Sequence, residues 1–194
     1  MFYKPKYLIL TTLIILCLIF VKCMNNQLQN NSEIIYSPIG IIHSSFSPET
    51  GAPRQGILMP VTRGEIEIFK PYREALQTLD EFEYIIVIYH FDKVKTWESH
   101  VNPPASTHEH DFGLFATRSP KRPNPIGLSV IKLESINNGI LHVRGIDAFD
   151  GTPVLDLKPY LPSVDCIESH RNEEVEKELG HHDEIFIRDS SFYR

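Results

Sequence analysis

Apolar residues recur at alternate positions along several stretches of this chain, the period of a half-buried strand. Gly64 to Phe69 alternates in this way and predicts a strand with one wet face. Tyr84 to Phe91 is almost continuously apolar, which predicts a strand covered on both faces. Gly127 to Ile136 and Ile140 to Ile146 flank Asn137-Asn138-Gly139. Asn-Gly between two alternating runs predicts a hairpin. Ile34 to His43 reads as a first strand broken around Pro38 and Gly40, and Val154 to Leu157 as a short one. Helical spacing is confined to two places. Pro71 to Leu79 opens on proline and spaces Tyr72, Ala75, Leu76 and Leu79 on one side. Arg171 to Leu179 is a charged helix with Gly180 as its stop. The sum is a mainly β protein: a closed or nearly closed barrel of mostly antiparallel short strands with one or two short helices.

Between the strands the chain is rich in proline. Gly113 to Gly127 holds Pro120, Pro123 and Pro125, each of which fixes φ and removes a donor. It is therefore a stiff extended loop, carrying Arg118, Lys121, Arg122 and Asn124. A stiff loop loses little entropy when it grips an anion. An ordered surface turn is the plain alternative, with about equal weight on composition alone. Pro53-Arg54-Gln55 repeats the pattern of a fixed cation beside an amide, and Asp150-Gly151-Thr152-Pro153 is a turn. His90 ends the strongest strand, where a buried histidine and a site residue are about equally expected. The loop Asp92 to Asp111 is polar and long enough to suggest function or mobility. Its His108-Glu109-His110 lacks a Cys or carboxylate at ligand spacing, so no metal site is expected.

The N-terminus differs from the rest. Residues 7 to 21 form an apolar run behind Lys4 and Lys6, short for a spanning helix of ~20 residues. Three readings stand: an uncleaved membrane anchor, an atypical export signal, or upstream sequence with Met24 as the working start. The chain accordingly divides into an apolar segment and polar linker over 1–31, a β-barrel domain over 32–165 and a charged extension over 166–194. The barrel is expected in the cytoplasm, with or without membrane attachment through residues 7–21. Cys17 and Cys23 belong to the first segment, which leaves Cys166 alone and favours a reducing compartment.

The 194 residues suffice for one domain with a real core. A net charge of −6 excludes sequence-blind binding of nucleic acid by the whole surface, so any polyanion must meet a local basic patch. No Gly-x-Gly fingerprint, phosphate-binding Gly-Lys loop or Gly-x-Ser-x-Gly elbow occurs. What remains is a set of proline-positioned polar groups: Arg54, Gln55, His90, Arg118, Arg122, Asn124, Asp147, Asp150, Asp156 and Lys158. Arginine forks suit a carboxylate or phosphate, and aspartates suit an amine or a ribose hydroxyl.

Phe115-Ala116-Thr117-Arg118-Ser119-Pro120 with Arg122-Pro123-Asn124-Pro125-Ile126-Gly127, then Asp150-Gly151-Thr152-Pro153-Val154-Leu155-Asp156-Leu157-Lys158-Pro159-Tyr160, resembles the TsaA-like family, the tRNA methyltransferase O group. Ser37-Pro38-Ile39-Gly40 and Pro53-Arg54-Gln55 resemble it too. The resemblance implies a β-barrel methyltransferase that uses S-adenosylmethionine without a Rossmann fold. It implies N6-methylation of threonylcarbamoyladenosine beside the anticodon (adenosine 37) of tRNA, and a homodimer. By motif position it places cofactor contacts on Pro53, Arg54, Gln55, His90, Phe91, Arg118, Leu128, Arg144, Gly145, Ile146 and Asp147. Lys121, Arg122, Asn124 and Lys158 are then candidates for the tRNA backbone, and Asp150 or Asp156 for a base. A barrel that binds the cofactor or RNA without turnover is the alternative.

Overall fold

The structure is a computed structural model and describes residues 15–17, 34–102, 111–168 and 173–178. The chain divides into two units, Met1–Tyr36 and Ser37–Arg194. In the first, residues 15–17 are helical, and the rest of the 7–21 apolar run lies outside the described residues. No helix among the described residues is long and apolar enough to cross a membrane.

The second unit is a closed barrel of six antiparallel strands. They are β1 (Gly40–His43), β2 (Arg63–Ile68), β3 (Tyr84–His90), β4 (Ile126–Asn137), β5 (Ile140–Arg144) and β6 (Pro153–Pro159). The order round the ring is β1-β2-β5-β4-β3-β6, and β6 closes back on β1 through Gly40 opposite Val154 and Ile41 opposite Pro153. Period-two alternation sends one side chain in two to the interior. Ile42, Ile66, Ile68, Ile85, Val87, Ile131, Leu141, Val143 and Val154 fill it and are buried. These branched side chains pack well on a pleated surface.

The hairpin expected at Asn138-Gly139 joins β4 to β5. Both residues take positive φ, 53° and 84°, as the tight primed turn requires. The first strand is shorter than its apolar pattern: Ile34, Ile35 and Tyr36 are exposed and outside any strand. Pro38 cannot donate to a ladder, so pairing starts beyond it. Strand β3 also departs from expectation. Ile85, Val87 and Tyr89 are buried, whereas Ile86 and Ile88 are only half-buried on the outer face. They stand opposite Val130 and Leu128, so among the described residues the apolar run forms a partly open outer stripe. The helix expected over 71–79 forms 3-10 turns at Lys70–Leu76 and Leu79–Glu81, split by Thr78 at a φ of 66°. A segment this short cannot sustain an α-helix on propensity alone. Among the described residues, two short α-helices follow the barrel, α1 (Pro162–Asp165) and α2 (Glu173–Glu178). The second falls inside the predicted Arg171–Leu179 helix.

Because the strands are antiparallel, the loops leaving β1, β3 and β5 all emerge at one end of the barrel. Two of them, 44–62 and 91–125, are the longest connections of the barrel and contain the proline-rich segments, and the third, 145–152, is short.

Candidate functional site

A cavity of about 390 Å³ opens between these loops, within the range of small-molecule sites. Its wall includes Pro53, Arg54 and Gln55 from the first loop, Phe91 and Asp92 from the second, and Arg118 and Arg122 from the proline segment. Leu128 of β4 and Asp147 beyond β5 complete it, with Tyr89 at its inner end. The structure thus brings Pro53, Arg54, Gln55, Phe91, Arg118, Leu128 and Asp147 to one hollow.

The loops are fixed to each other by backbone. Gly56 abuts Gly145 so closely that a Cβ on Gly56 meets the Gly145 carbonyl oxygen at 1.7 Å. The Gly145 amide donates to the Thr62 carbonyl at 2.8 Å, and the Thr62 hydroxyl donates to the Ile146 carbonyl at 2.9 Å. Gly145 and Ile146 therefore hold the Pro53–Thr62 loop and do not line the cavity. Across the mouth, Arg118 donates to the Gln55 amide oxygen at 2.5 Å, so the two proline-fixed cation–amide segments meet. The proline loop is braced internally as well. The Arg122 guanidinium donates to the Thr117 carbonyl at 3.0 Å, and Phe91 N–H donates to the Pro125 carbonyl at 2.7 Å.

Asp147 is the buried charge of the site. One carboxylate oxygen accepts from the Ser129 hydroxyl at 2.6 Å and, more weakly, from the Tyr89 hydroxyl at 3.5 Å. The other accepts from Gly56 N–H at 2.7 Å. Burial disfavours its ionised form and pushes its pKa from 3.8 up to about 6, although the bonds from Ser129 and Gly56 pull the other way. The Tyr89 ring that helps hold it leaves no room opposite: a Cβ on Gly127 meets the ring at 2.3 Å. Tyr89 also meets Phe91 edge to face at 5.2 Å, which gives the inner wall two crossed aromatic faces.

Other sequence-predicted residues lie elsewhere. Arg144 turns outward to pair with Glu134. His90 is half-buried and does not line the cavity. The two candidate bases are also outside it. Asp150 is exposed and accepts from Ser44 N–H at 3.2 Å. Asp156 pairs with Lys158 at 2.7 Å on the outer face of β6, opposite Ile88 and Ile86 respectively. Asn124 is exposed on the proline loop, and Lys121 bonds Glu98 at 2.7 Å. Tyr89, Asp92 and Ser129 escaped the sequence reading. A readable signal existed: Tyr89 and Ser129 are polar groups at inward positions of strands, where a buried hydroxyl needs a partner. His108 and His110 lie outside the described residues. Among the described residues no group of three or more His, Cys, Asp or Glu is placed to hold a metal ion.

Comparison with known proteins gives this cavity a context. The family described as the tRNA-methyltransferase O N-terminal domain matches residues 41–166. An S-adenosyl-L-methionine-binding protein of Archaeoglobus fulgidus is 42% identical over 134 residues, which cover 69% of this chain and 94% of that protein. The tRNA (adenine(37)-N6)-methyltransferase of Escherichia coli is 34% identical over 144 residues, covering 70% of this chain and 61% of the enzyme. The crystal structure of TrmO from P. aeruginosa superposes with a TM-score of 0.62 at 36% identity, covering 76% of this chain and 64% of that one. The chain thus spans less than two thirds of the length of these last two. On the matched family domain, the chain belongs to the tRNA-methyltransferase O N-terminal-domain family.

Proposed function

We propose that the cavity binds S-adenosylmethionine and that the protein transfers its methyl group to N6 of threonylcarbamoyladenosine at position 37 of tRNA. The observation that carries the reading is the Arg118–Gln55 bridge over a cavity whose floor is Asp147. The residues present fit the cofactor's chemistry. Arg54 and Arg118 offer guanidinium forks to a carboxylate, and Phe91, Leu128 and Pro53 offer apolar faces to a purine. Asp147 supplies negative charge for a cationic ligand. When bound, the cofactor supplies an electrophilic methyl group on a sulfonium.

The protein's part is to orient and to exclude water. Backbone stitching of the Pro53–Thr62 loop to Gly145 and Ile146 fixes the wall before the ligand arrives, so little ordering entropy remains to be lost. Holding donor and acceptor in near-attack geometry contributes up to ~7–11 kcal/mol in favourable cases. Asp150 and Asp156 stand outside the cavity, and the carboxylates that line it are Asp92 and Asp147. Of these, Asp92 at the mouth pairs with Lys93 at 2.6 Å. The N6 proton released on transfer is therefore left to solvent at the mouth, with Asp92 engaged by Lys93 and Asp147 by its three donors.

We infer a homodimer in addition. Its support is the outer stripe of exposed Val130 with half-buried Ile86 and Ile88, continuous with Ile126 and Leu128 at the cavity wall, an apolar face that a second copy covers while bordering the cofactor site. A second reading, cofactor binding without turnover, draws support from the name of the Archaeoglobus fulgidus relative. Labelled cofactor and threonylcarbamoylated tRNA separate the two. Methyl transfer that Arg118→Ala abolishes supports the enzyme. Calorimetric cofactor binding with no labelled tRNA supports the binding module.

A further inference from the structure

Phe115 is 77% exposed, although its neighbour Leu114 in the same short turn is buried. One face of its ring is already taken, because the Arg122 guanidinium lies 5.4 Å from the ring centroid. Arg122 cannot swing away freely, since it also donates to the Thr117 and Ser119 carbonyls at 3.0 and 3.4 Å. Arg122 lines the cavity, as do Thr117 and Arg118 just beyond Phe115. The open face of an aromatic ring therefore stands at the mouth of the site, held by a rigid loop.

A second exposed aromatic shares this rim. The strap after β3 is bonded to the proline loop by Glu98 N–H to the Lys121 carbonyl at 3.3 Å, and by Lys121 to the Glu98 carboxylate at 2.7 Å. It carries Lys93, Lys95 and Trp97, the last 57% exposed. Asp92 and Glu98 offset Lys93 and Lys121. Among the described residues, Arg118 and Arg122 hydrogen-bond neutral acceptors. The rim thus keeps positive charge on a chain of net charge −6. Aromatic faces among uncompensated cations suit a ligand that is both anionic and flat-faced, which describes unpaired nucleotides.

We propose that Phe115, backed by Arg122, is a stacking platform for an unpaired RNA base next to the one that enters the cavity. The proposal rests on the tRNA reading above and adds the residue that holds the loop open. The rim cations set affinity through phosphates, whereas Phe115 acts through a neutral face and carries no salt dependence.

The test uses the full chain and an anticodon stem-loop RNA with 2-aminopurine beside the target adenosine, titrated at several salt concentrations. Phe115→Ala should weaken binding by about 5- to 150-fold, the range of one lost base–aromatic stack. It should relieve the quenching of 2-aminopurine, leave the salt slope unchanged and leave calorimetric cofactor affinity intact. Phe115→Trp should stay within about threefold of wild type, because stacking tolerates any large π face. Lys95→Ala should instead lower the salt slope. Wild-type affinity and quenching in Phe115→Ala, from a protein that does methylate tRNA, overturns the platform and leaves the tRNA reading standing. A wild-type chain that binds cofactor but no stem-loop overturns both.

Discussion

Replacing Asp147 by asparagine tests whether the buried carboxylate is a held charge that the fold tolerates at a cost. Its pKa rises from 3.8 to about 6, and burial is the main cause. At 1.36 kcal/mol per tenfold change in proton affinity, that gap is on the order of 3 kcal/mol. The sign follows from which state holds the proton. Below about pH 4 both states are protonated and stability is at its fullest. Between about pH 4 and 6 the unfolded chain releases its proton while the native site keeps it, so stability falls as pH rises. Above about pH 6 the native site ionises as well and the loss levels off. An asparagine fits the same partners: its oxygen accepts from Gly56 N–H, and its amide donates to the Ser129 hydroxyl, which can turn. Urea unfolding of both proteins from pH 4 to pH 7 reads the difference between them. Relative to wild type, Asp147→Asn should gain about 3 kcal/mol over that interval. A difference that stays flat with pH refutes the assignment of a raised pKa to this carboxyl.

Three further outcomes follow from the same geometry. Gly127→Ala puts a methyl group within 2.8 Å of three Tyr89 ring atoms, so overpacking should cost about 1–3 kcal/mol in thermal unfolding and weaken cofactor binding. Gly56→Ala meets backbone that cannot step aside, the Gly145 carbonyl oxygen at 1.7 Å, and its unfolding cost should sit at the upper end of about 1–3 kcal/mol. Asn138→Val places a β-branched residue at a φ of 53° and should lose about 1–2 kcal/mol, while Asn138→Gly at the same turn should be close to neutral.

The strand pattern carried most of the architecture. Strict alternation in Gly64–Phe69 and the Asn-Gly turn set the β2 and β4–β5 geometry, because both depend on local periodicity and local φ. Of the cavity residues named from the sequence, Pro53, Arg54, Gln55, Arg118 and Arg122 sit on proline-fixed loops, whose stiffness is visible in sequence, whereas Phe91 and Leu128 rest on the family resemblance alone. Tyr89 and Ser129 were missed because their meaning is not local. Only the register that sets Tyr89 against Gly127 and Val87 against Ser129 brings both hydroxyls to Asp147. The candidate bases Asp150 and Asp156 show the converse. Their motif is dense, yet a bulge between Val154 and Asp156 breaks the alternation of β6 and turns Asp156 outward beside Lys158, and the turn at Gly151 leaves Asp150 exposed.

The closing of β6 onto β1 has a bearing on evolution and on engineering. A ring in which each strand has a neighbour on both sides has no edge strand, so a visitor finds little bare ladder to extend. Recognition then passes mainly through side chains and the three loops at one rim. Such a scaffold can exchange its clientele by rewriting a few exposed positions, with the ladder beneath left as it was.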